Sequence, residues 1–360
     1  MTTRLHHQGT LAASARASGP TTATGWVLRA LFALVAFPIA LWGALALHFA
    51  GPRSAATVLP VVWAVGAFAI LLFVGPFARR AVVFALAAAA LFAWWSTIRP
   101  SNDRQWQPDV AQPPHAQLHG DELTIHNVRN FDYRTETDFS ERWETRTYDL
   151  AKLDRLDFFM SYWGSPAIAH TIMSWAFTDG QHLAISIETR KEVGETYSTV
   201  AGFFRQYELY YVAADERDVI RVRTNYRGED VYLYPLRTPR DRVRRALLEY
   251  AESMNRLAVV PEFYNEGTGN CTTTIRTNLE HMGISMPLDW RLLVNGYLNE
   301  LLYEKNVIDT SRPLDVVKAS SLIDARAKAA DQAPDFSSRI REGIVVPLRF
   351  DQPGAPPQPR

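Results

Sequence analysis

The sequence predicts an α+β protein in which an apolar helical anchor precedes a globular domain. Three observations carry this. Residues 26–98 contain three long apolar stretches and no acidic side chain. A series of strand-like runs follows, including one hairpin with an Asp-Gly turn. From Thr238 onward the pattern turns helical, and strands followed by helices in blocks indicate a sheet with its helices segregated from it.

At 360 residues the chain has room for two domains. Its 38 basic and 38 acidic residues cancel, and no basic run is interleaved with aromatics, so nothing supports nucleic-acid binding. The single cysteine, Cys271, excludes an internal disulfide framework and a Cys-rich zinc module. No Gly-rich phosphate loop lies between a strand and a helix, and no other cofactor is implied.

Residues 1–25 are polar, small and weakly basic, which predicts disorder. Ala30–Ala50 carries no formal charge over about 21 residues, enough to span a bilayer. Ala55–Ala78 is similar and contains Pro60 and Gly66. Ala81–Ile98 is shorter, about 18 residues, and ends near Trp94-Trp95, which suits an interface. Three transmembrane helices over 26–98 are therefore expected. A cleaved signal peptide explains the first stretch poorly, since it is long and two more follow. Arg4, Arg16 and Arg29 flank the first span, and Arg79-Arg80 separate the second from the third. Positive charge marks the cytoplasmic side, so three spans would leave the C-terminal portion outside, with Arg99 and Arg104 as weaker counter-evidence.

Residues 99–120 hold Pro100, Pro108, Pro113 and Pro114 among polar residues and read as an extended linker, with His115 and His119 solvated in it. The domain proper is expected over 121–338. Strands are predicted at Leu123–Tyr133, Thr145–Leu150, 155–163, 169–178, 181–190, Glu208–Ala213, Val219–Arg223 and Val231–Pro235. Helices are predicted at 239–257, through the Cys271 region, and near 290–305 and 314–330. Residues 339–360 end in a Pro-rich stretch and read as an unstructured tail.

Cys271 follows a Gly/Asn-rich loop and opens a helical pattern in which Ile275, Leu279 and Met282 form one stripe and Gly283 marks the stop. Asn270 or Thr272 can serve as N-cap. A thiol in the first turn of a helix feels the positive end of the backbone dipole, which favours the thiolate. The alternative is a small apolar residue packed under a loop.

A thiolate nucleophile needs a base, and the base an orienting partner. His170 is the candidate base. Under strand alternation it shares a face with Ile172, Ser174 and Ala176, so it points to the interior or a cleft; a hydrogen-bonded structural histidine is the competing reading. A two-residue Asp179-Gly180 turn sets His170 across from Thr189. A change of one residue in loop length substitutes Glu188 or Arg190. Glu188 is thus within one register step of His170 and is the candidate orienter. It is equally readable as an ion-pair partner of Arg190 or Lys191. Ser186 is a weaker candidate, and His182 near the turn is expected to be exposed. His170, His182 and Glu188 lack the tight spacing of a zinc site, so no metal is expected. A Gly-x-Ser-x-Gly elbow is missing too, which removes a serine hydrolase.

Several longer motifs, Trp163-Gly-Ser-Pro-Ala-Ile-Ala-His170, Ser186-Ile-Glu-Thr-Arg-Lys-Glu192, Gly202-Phe-Phe-Arg-Gln-Tyr-Glu208 and Asn270-Cys271-Thr-Thr, resemble the Lnb N-terminal periplasmic domain family of bacterial membrane proteins over about 121–285. More remotely, the order strand histidine first, Asn-Cys at a helix start about a hundred residues later, is similar to circularly permuted papain-like thiol enzymes, the group of NlpC-type peptidases and lecithin retinol acyltransferase. That resemblance implies a permuted papain-like fold. It also implies a cysteine hydrolase or acyltransferase of the cell envelope, anchored in the inner membrane with its C-terminal domain periplasmic. Cys271 would attack a carbonyl of an envelope amide, ester or lipid acyl group, His170 would carry the proton, and a backbone N–H at the helix start, beside Asn270 and Thr272, would help hold the oxyanion. The acyltransferase branch uses a second histidine as third member; His182 has a similar spacing, but Glu188 fits the hairpin better. The alternatives are a non-catalytic binding or assembly module, suggested by the dense Arg, Glu and aromatic content of 188–211, and a structural role for Cys271 in a membrane-organising protein.

Overall fold

A computed structural model describes residues 23–265, 289–292 and 294–357. The chain divides into two compact units, Met1–Thr97 and Ile98–Arg360.

The first unit contains helices α1 (Ala23–Phe49), α2 (Val58–Phe73) and α3 (Phe77–Thr97). They pack around Ala36, Ala67 and Phe84. Gly43 permits the closest approach, since a Cβ there would lie 2.6 Å from the Trp63 ring nitrogen and 2.7 Å from Leu91. Among the described residues only two helices, Gly25–Phe49 and Phe77–Thr97, are long and apolar enough to cross a membrane. The expected span over Ala55–Ala78 is not met. A 3-10 turn at Arg53–Ala55 and a break at Gly75-Pro76 leave 16 helical residues. At 1.5 Å per residue that is about 24 Å, short of a hydrocarbon core of about 30 Å.

The second unit is built on a mixed sheet with helices on both faces. Its strands are β1 (His115–His119), β2 (Glu122–Arg129), β5 (Trp143–Asp149), β6 (Leu153–Tyr162), β7 (Ala169–Phe177), β8 (His182–Arg190), β9 (Glu208–Ala214) and β10 (Asp230–Pro235). The order is β1-β2-β9-β8-β7-β6-β10, with β5 also paired to β2; β3 (Asp132–Tyr133) and β4 (Phe139–Ser140) form a separate ribbon. The pairs are antiparallel except β2 with β9. Alternation along the strands sends Phe158, Met173, Trp175 and Ile185 to one face. There they meet Val243, Leu247, Tyr250 and Met254 of helix α5 (Arg240–Val259). These α5 residues recur at helical spacing and form one inward stripe. Phe159, Ile172, Ala184 and Val212 point to the other face and pack with Val219, Ile220, Ile323 and Phe336. The remaining helices are α4 (Glu216–Val219), α6 (Leu298–Glu304), α7 (Leu314–Ser321), α8 (Asp324–Ala329) and α9 (Phe336–Arg339).

Three expectations give way here, each to a buried charge or a cap. Val219–Arg223 is not a strand. Asp215 caps the run by accepting from the Arg217 amide, so α4 forms, followed by a π-helical turn at Val222–Arg227; a short apolar run has no period that separates helix from strand. Residues 99–120 are not a solvated linker. The buried Arg190 guanidinium donates to the carbonyls of Val110 and Ala111 and to Asn102 Oδ1, each at 3.0 Å, and lies 4.1 Å over the Trp106 ring. His115 and His119 lie in β1 rather than in a tether. Nor is 339–360 a free tail. Arg341 enters the domain and bonds Asp157 at 2.7 Å and Glu216 at 2.6 Å, both fully buried carboxylates, while Ile340 is 0 % exposed. Arg349 pairs with Asp154 at 2.9 Å.

The docked strap also carries a pH-dependent element. Glu208, buried at the start of β9, accepts from the Ser101 amide at 3.1 Å and pairs with Arg104 at 2.8 Å. Burial outweighs both and pushes its carboxyl from an ordinary 4.5 up to about 7. The folded chain therefore holds this proton more tightly than the unfolded chain. Its contribution to stability is present below about 4.5 and is lost as pH rises towards 7. Glu208→Gln should shrink the stability difference between about pH 5 and about pH 8 by about 1–3 kcal/mol. Urea denaturation of both proteins at the two pH values checks this, and parallel pH slopes would contradict it.

Candidate functional site

The β7–β8 hairpin decides what faces His170. Its loop is three residues, Thr178-Asp179-Gly180, not two. The Phe177 amide donates to the Gln181 carbonyl and the Gly180 amide to the Phe177 carbonyl, both at 3.0 Å, with Gly180 at φ 86°. A type I turn closed by a left-handed glycine has this form. The pairs run from Ala176 with His182 to Ile172 with Ser186. Continued two residues, the same register sets His170 across from Glu188, one step from the Thr189 pairing of a two-residue turn.

The side chains meet accordingly. His170 Nε2 lies 3.1 Å from Glu188 Oε1 and 2.7 Å from Ser186 Oγ, and the Ser186 hydroxyl donates to Glu188 Oε1 at 2.7 Å. An ionised carboxylate only accepts, so Nε2 carries the proton and donates to both oxygens. Glu188 is not paired with Arg190 or Lys191 as one reading had it. Its second partner is Arg223, whose Nη2 lies 2.9 Å from Oε1. Arg223 Nη1 continues to Glu229 at 3.1 Å, and Ser161 donates to Glu229 through a short hydrogen bond. Ser161 sits beside His170 in the β6–β7 register, so the row closes back on the strand it started from.

The electrostatics follow from burial. Desolvation alone would raise the Glu188 carboxyl, but His170, Arg223 and Ser186 hold it well below the usual carboxylate range. For Glu229 the burial penalty is likewise outweighed, by Arg223 and Ser161. Burial works against the Arg223 cation, and Glu229 and Glu188 more than restore it. Arg223 was missed in the sequence because its segment reads as a strand. The π turn that carries it is a form enriched at functional sites. No sequence pattern announces it beyond two acids that need a counter-charge.

The row opens on a cleft of about 240 Å³ whose lining includes Trp163, Tyr197, Glu188, His170, Arg223 and Tyr264. The His170 end is fixed from outside the hairpin. Asn295 Oδ1 accepts from the Ala169 amide and Asn295 Nδ2 donates to the Ala169 carbonyl, both at 2.8 Å, which extends the ladder where β8 has stopped pairing. Gly296 must be glycine for this, since a Cβ would fall 2.1 Å from the Pro166 carbonyl oxygen. His182 pairs with Ala176, six residues along β7 from His170, and is partly buried rather than exposed. It takes no part in the row. Cys271, Asn270 and Thr272 lie outside the described residues.

Fold and site together define an α+β domain with a hydrogen-bonded histidine–carboxylate–arginine row on one sheet face, in a chain that begins with apolar helices. The particular family follows from the sequence: residues 139–296 match the model of the Lnb N-terminal periplasmic domain, the family the motifs resembled. That segment matches the Lnb N-terminal periplasmic domain, and ahead of it, among the described residues, lie two helices long and apolar enough to cross a membrane. The match contains Ser161, His170, Ser186, Glu188, Arg223, Glu229 and Asn295. No curated protein and no solved structure matches significantly.

Removing the central cation tests the row. In Arg223→Met the buried Glu229 and the partly buried Glu188 lose the cation that bridges them, which costs about 3–5 kcal/mol near neutral pH. In the wild type Glu188 and Glu229 are held low, so their stabilisation is present above about 4.5 and fades as pH falls through their folded values. In the variant that order reverses, because protonation relieves the repulsion. The gap between the two urea curves should therefore narrow on acidification. A gap that stays constant from about pH 7 to about pH 4 would contradict a charged row.

Proposed function

We propose that the domain is a periplasmic thiol hydrolase or acyltransferase acting on an amide, ester or thioester of the cell envelope. Cys271 is the nucleophile, His170 the base and Glu188 the residue that orients it. The observation that carries this reading is the His170–Glu188–Arg223 row on an open cleft: a histidine held by an ionised carboxylate is the arrangement that readies an imidazole to accept a proton. The only cysteine of the chain lies in the same family segment, at the start of a helical pattern.

With Nε2 committed to Glu188, proton exchange falls to Nδ1. The Cys271 thiol gives its proton to His170, and the thiolate adds to the carbonyl carbon. A backbone N–H near Asn270 and Thr272 steadies the oxyanion. Collapse returns the proton from the imidazolium to the leaving nitrogen, oxygen or sulfur and leaves an acyl thioester on Cys271. Water, or a second nucleophile, then releases the acyl group by the reverse proton path. The circularly permuted papain-like arrangement, and the multi-pass orientation that puts the domain in the periplasm, belong to this proposal. The competing binding-module reading drew on 188–211. Several charges there are spent internally: Arg190 on the strap, Glu192 on Arg104 at 2.8 Å, Glu208 on Arg104 and Ser101.

Because Cys271 is the sole thiol, alkylation by iodoacetamide, read by intact mass, reports on it alone. Labelling should be fast at pH near 7 and slow by at least about tenfold in His170→Ala, with Glu188→Gln intermediate. Equal rates in wild type and His170→Ala would remove the Cys–His pair and the function with it.

A further inference from the structure

We propose that the rim formed by residues 193–205 and 256–260 docks on anionic phospholipid headgroups. The rim combines apolar exposure with positive charge. Val193 is 54 % exposed, Val200 48 %, Phe203 48 %, Val259 80 % and Val260 56 %. Arg99, Arg205 and Arg256 stand among them; Arg256 also faces Glu262 at 3.6 Å, and Arg205 lies 5.7 Å over the Phe263 ring. Both segments border residues 98–105: the Val193 amide donates to the Gln105 carbonyl at 2.8 Å, and Asn102 donates to the carbonyls of Leu257 and Ala258 at 2.9 and 3.1 Å. Aliphatic and aromatic side chains interspersed with arginine are what an interfacial surface needs, apolar groups to enter the headgroup layer and cations to meet phosphate.

Chain continuity selects lipid over other occupants. Ile98 follows the last residue of α3 by one peptide bond, and α3 closes with Trp94 and Trp95. A helix that ends at a bilayer surface delivers Ile98 to that surface. The Ile98 carbonyl is held by Arg205 Nη1 at 3.2 Å, inside the rim. The rim is in turn a short step from the cleft. Two residues after Arg205, Tyr207 donates to the Thr196 carbonyl at 2.7 Å, accepts from the Ser198 amide at 3.0 Å and stacks 6.5 Å from Tyr197. The Tyr264 amide donates to the Tyr207 carbonyl at 3.0 Å. Tyr197 and Tyr264 both line the cleft. One wall of the cleft is thus continuous with the surface that receives the chain from its apolar helix. The docking stands on these contacts alone.

The test uses the full chain in nanodiscs of phosphatidylcholine with about one third phosphatidylglycerol, doped with a phospholipid carrying a diazirine in its headgroup. After irradiation, adducts are mapped by mass spectrometry. Adducts should fall on 193–205 and 256–260, and drop by at least about fivefold in Phe203→Asp/Val259→Asp and again in pure phosphatidylcholine. Adducts confined to residues before 99, or unchanged in the double variant, would overturn the docking surface.

Discussion

One turn of the chain sets the site. Because Gly180 takes the left-handed conformation, the β7–β8 loop closes over three residues, and every pair down the hairpin shifts by one. In a sheet a shift of one residue exchanges the faces of one strand relative to its neighbour. The register observed keeps His170, Ser186 and Glu188 on a single face, while Met173, Trp175 and Ile185 close the core on the other. The same step that completes the hydrophobic core completes the polar row, so the two cannot be altered separately.

Buried arginine is the second organising element. Arg190 secures the strap 102–111, Arg341 the C-terminal stretch, Arg129 the start of α4 through Asp218 at 2.8 Å, and Arg223 the site. In each case a planar cation with several donors satisfies carbonyls or carboxylates that would otherwise be stranded on a sheet face. This is why segments that are polar and Pro-rich still belong to the fold. Their backbone groups are held by side chains projecting from the sheet, and apolar burial is only part of what holds them.

The parts of the fold that depend on period were legible in the sequence. The central strands and α5 fall close to where alternation and helical spacing put them, and the face occupied by His170 follows from alternation alone. What depends on single long-range contacts was not. The strap around Trp106 and the stretch around Arg341 have loop composition, and partners 79 to 184 residues away hold them on the domain. Glu188 was legible to within one register step, because Asp-Gly serves in both two- and three-residue loops. Arg223 was illegible, since a short apolar run fits strand and helix equally well.

The charge along the row bears on what His170 is for. Glu229, Arg223 and Glu188 carry one negative charge between them, and Arg227, 3.8 Å from Glu229, adds a second cation beside that acid. At the His170 end the ring faces the Glu188 carboxylate. A purely structural histidine needs no such arrangement: a backbone carbonyl would satisfy its N–H without the cost of burying three ions. Here the ions are fixed in advance, Arg223 against both acids and Asn295 against the backbone of Ala169, so little has to move when charge appears on the ring. A fixed environment that favours the charge a reaction step creates is the form that electrostatic assistance takes in enzymes. Under the proposed reading, such an environment suits a His170 that accepts a proton.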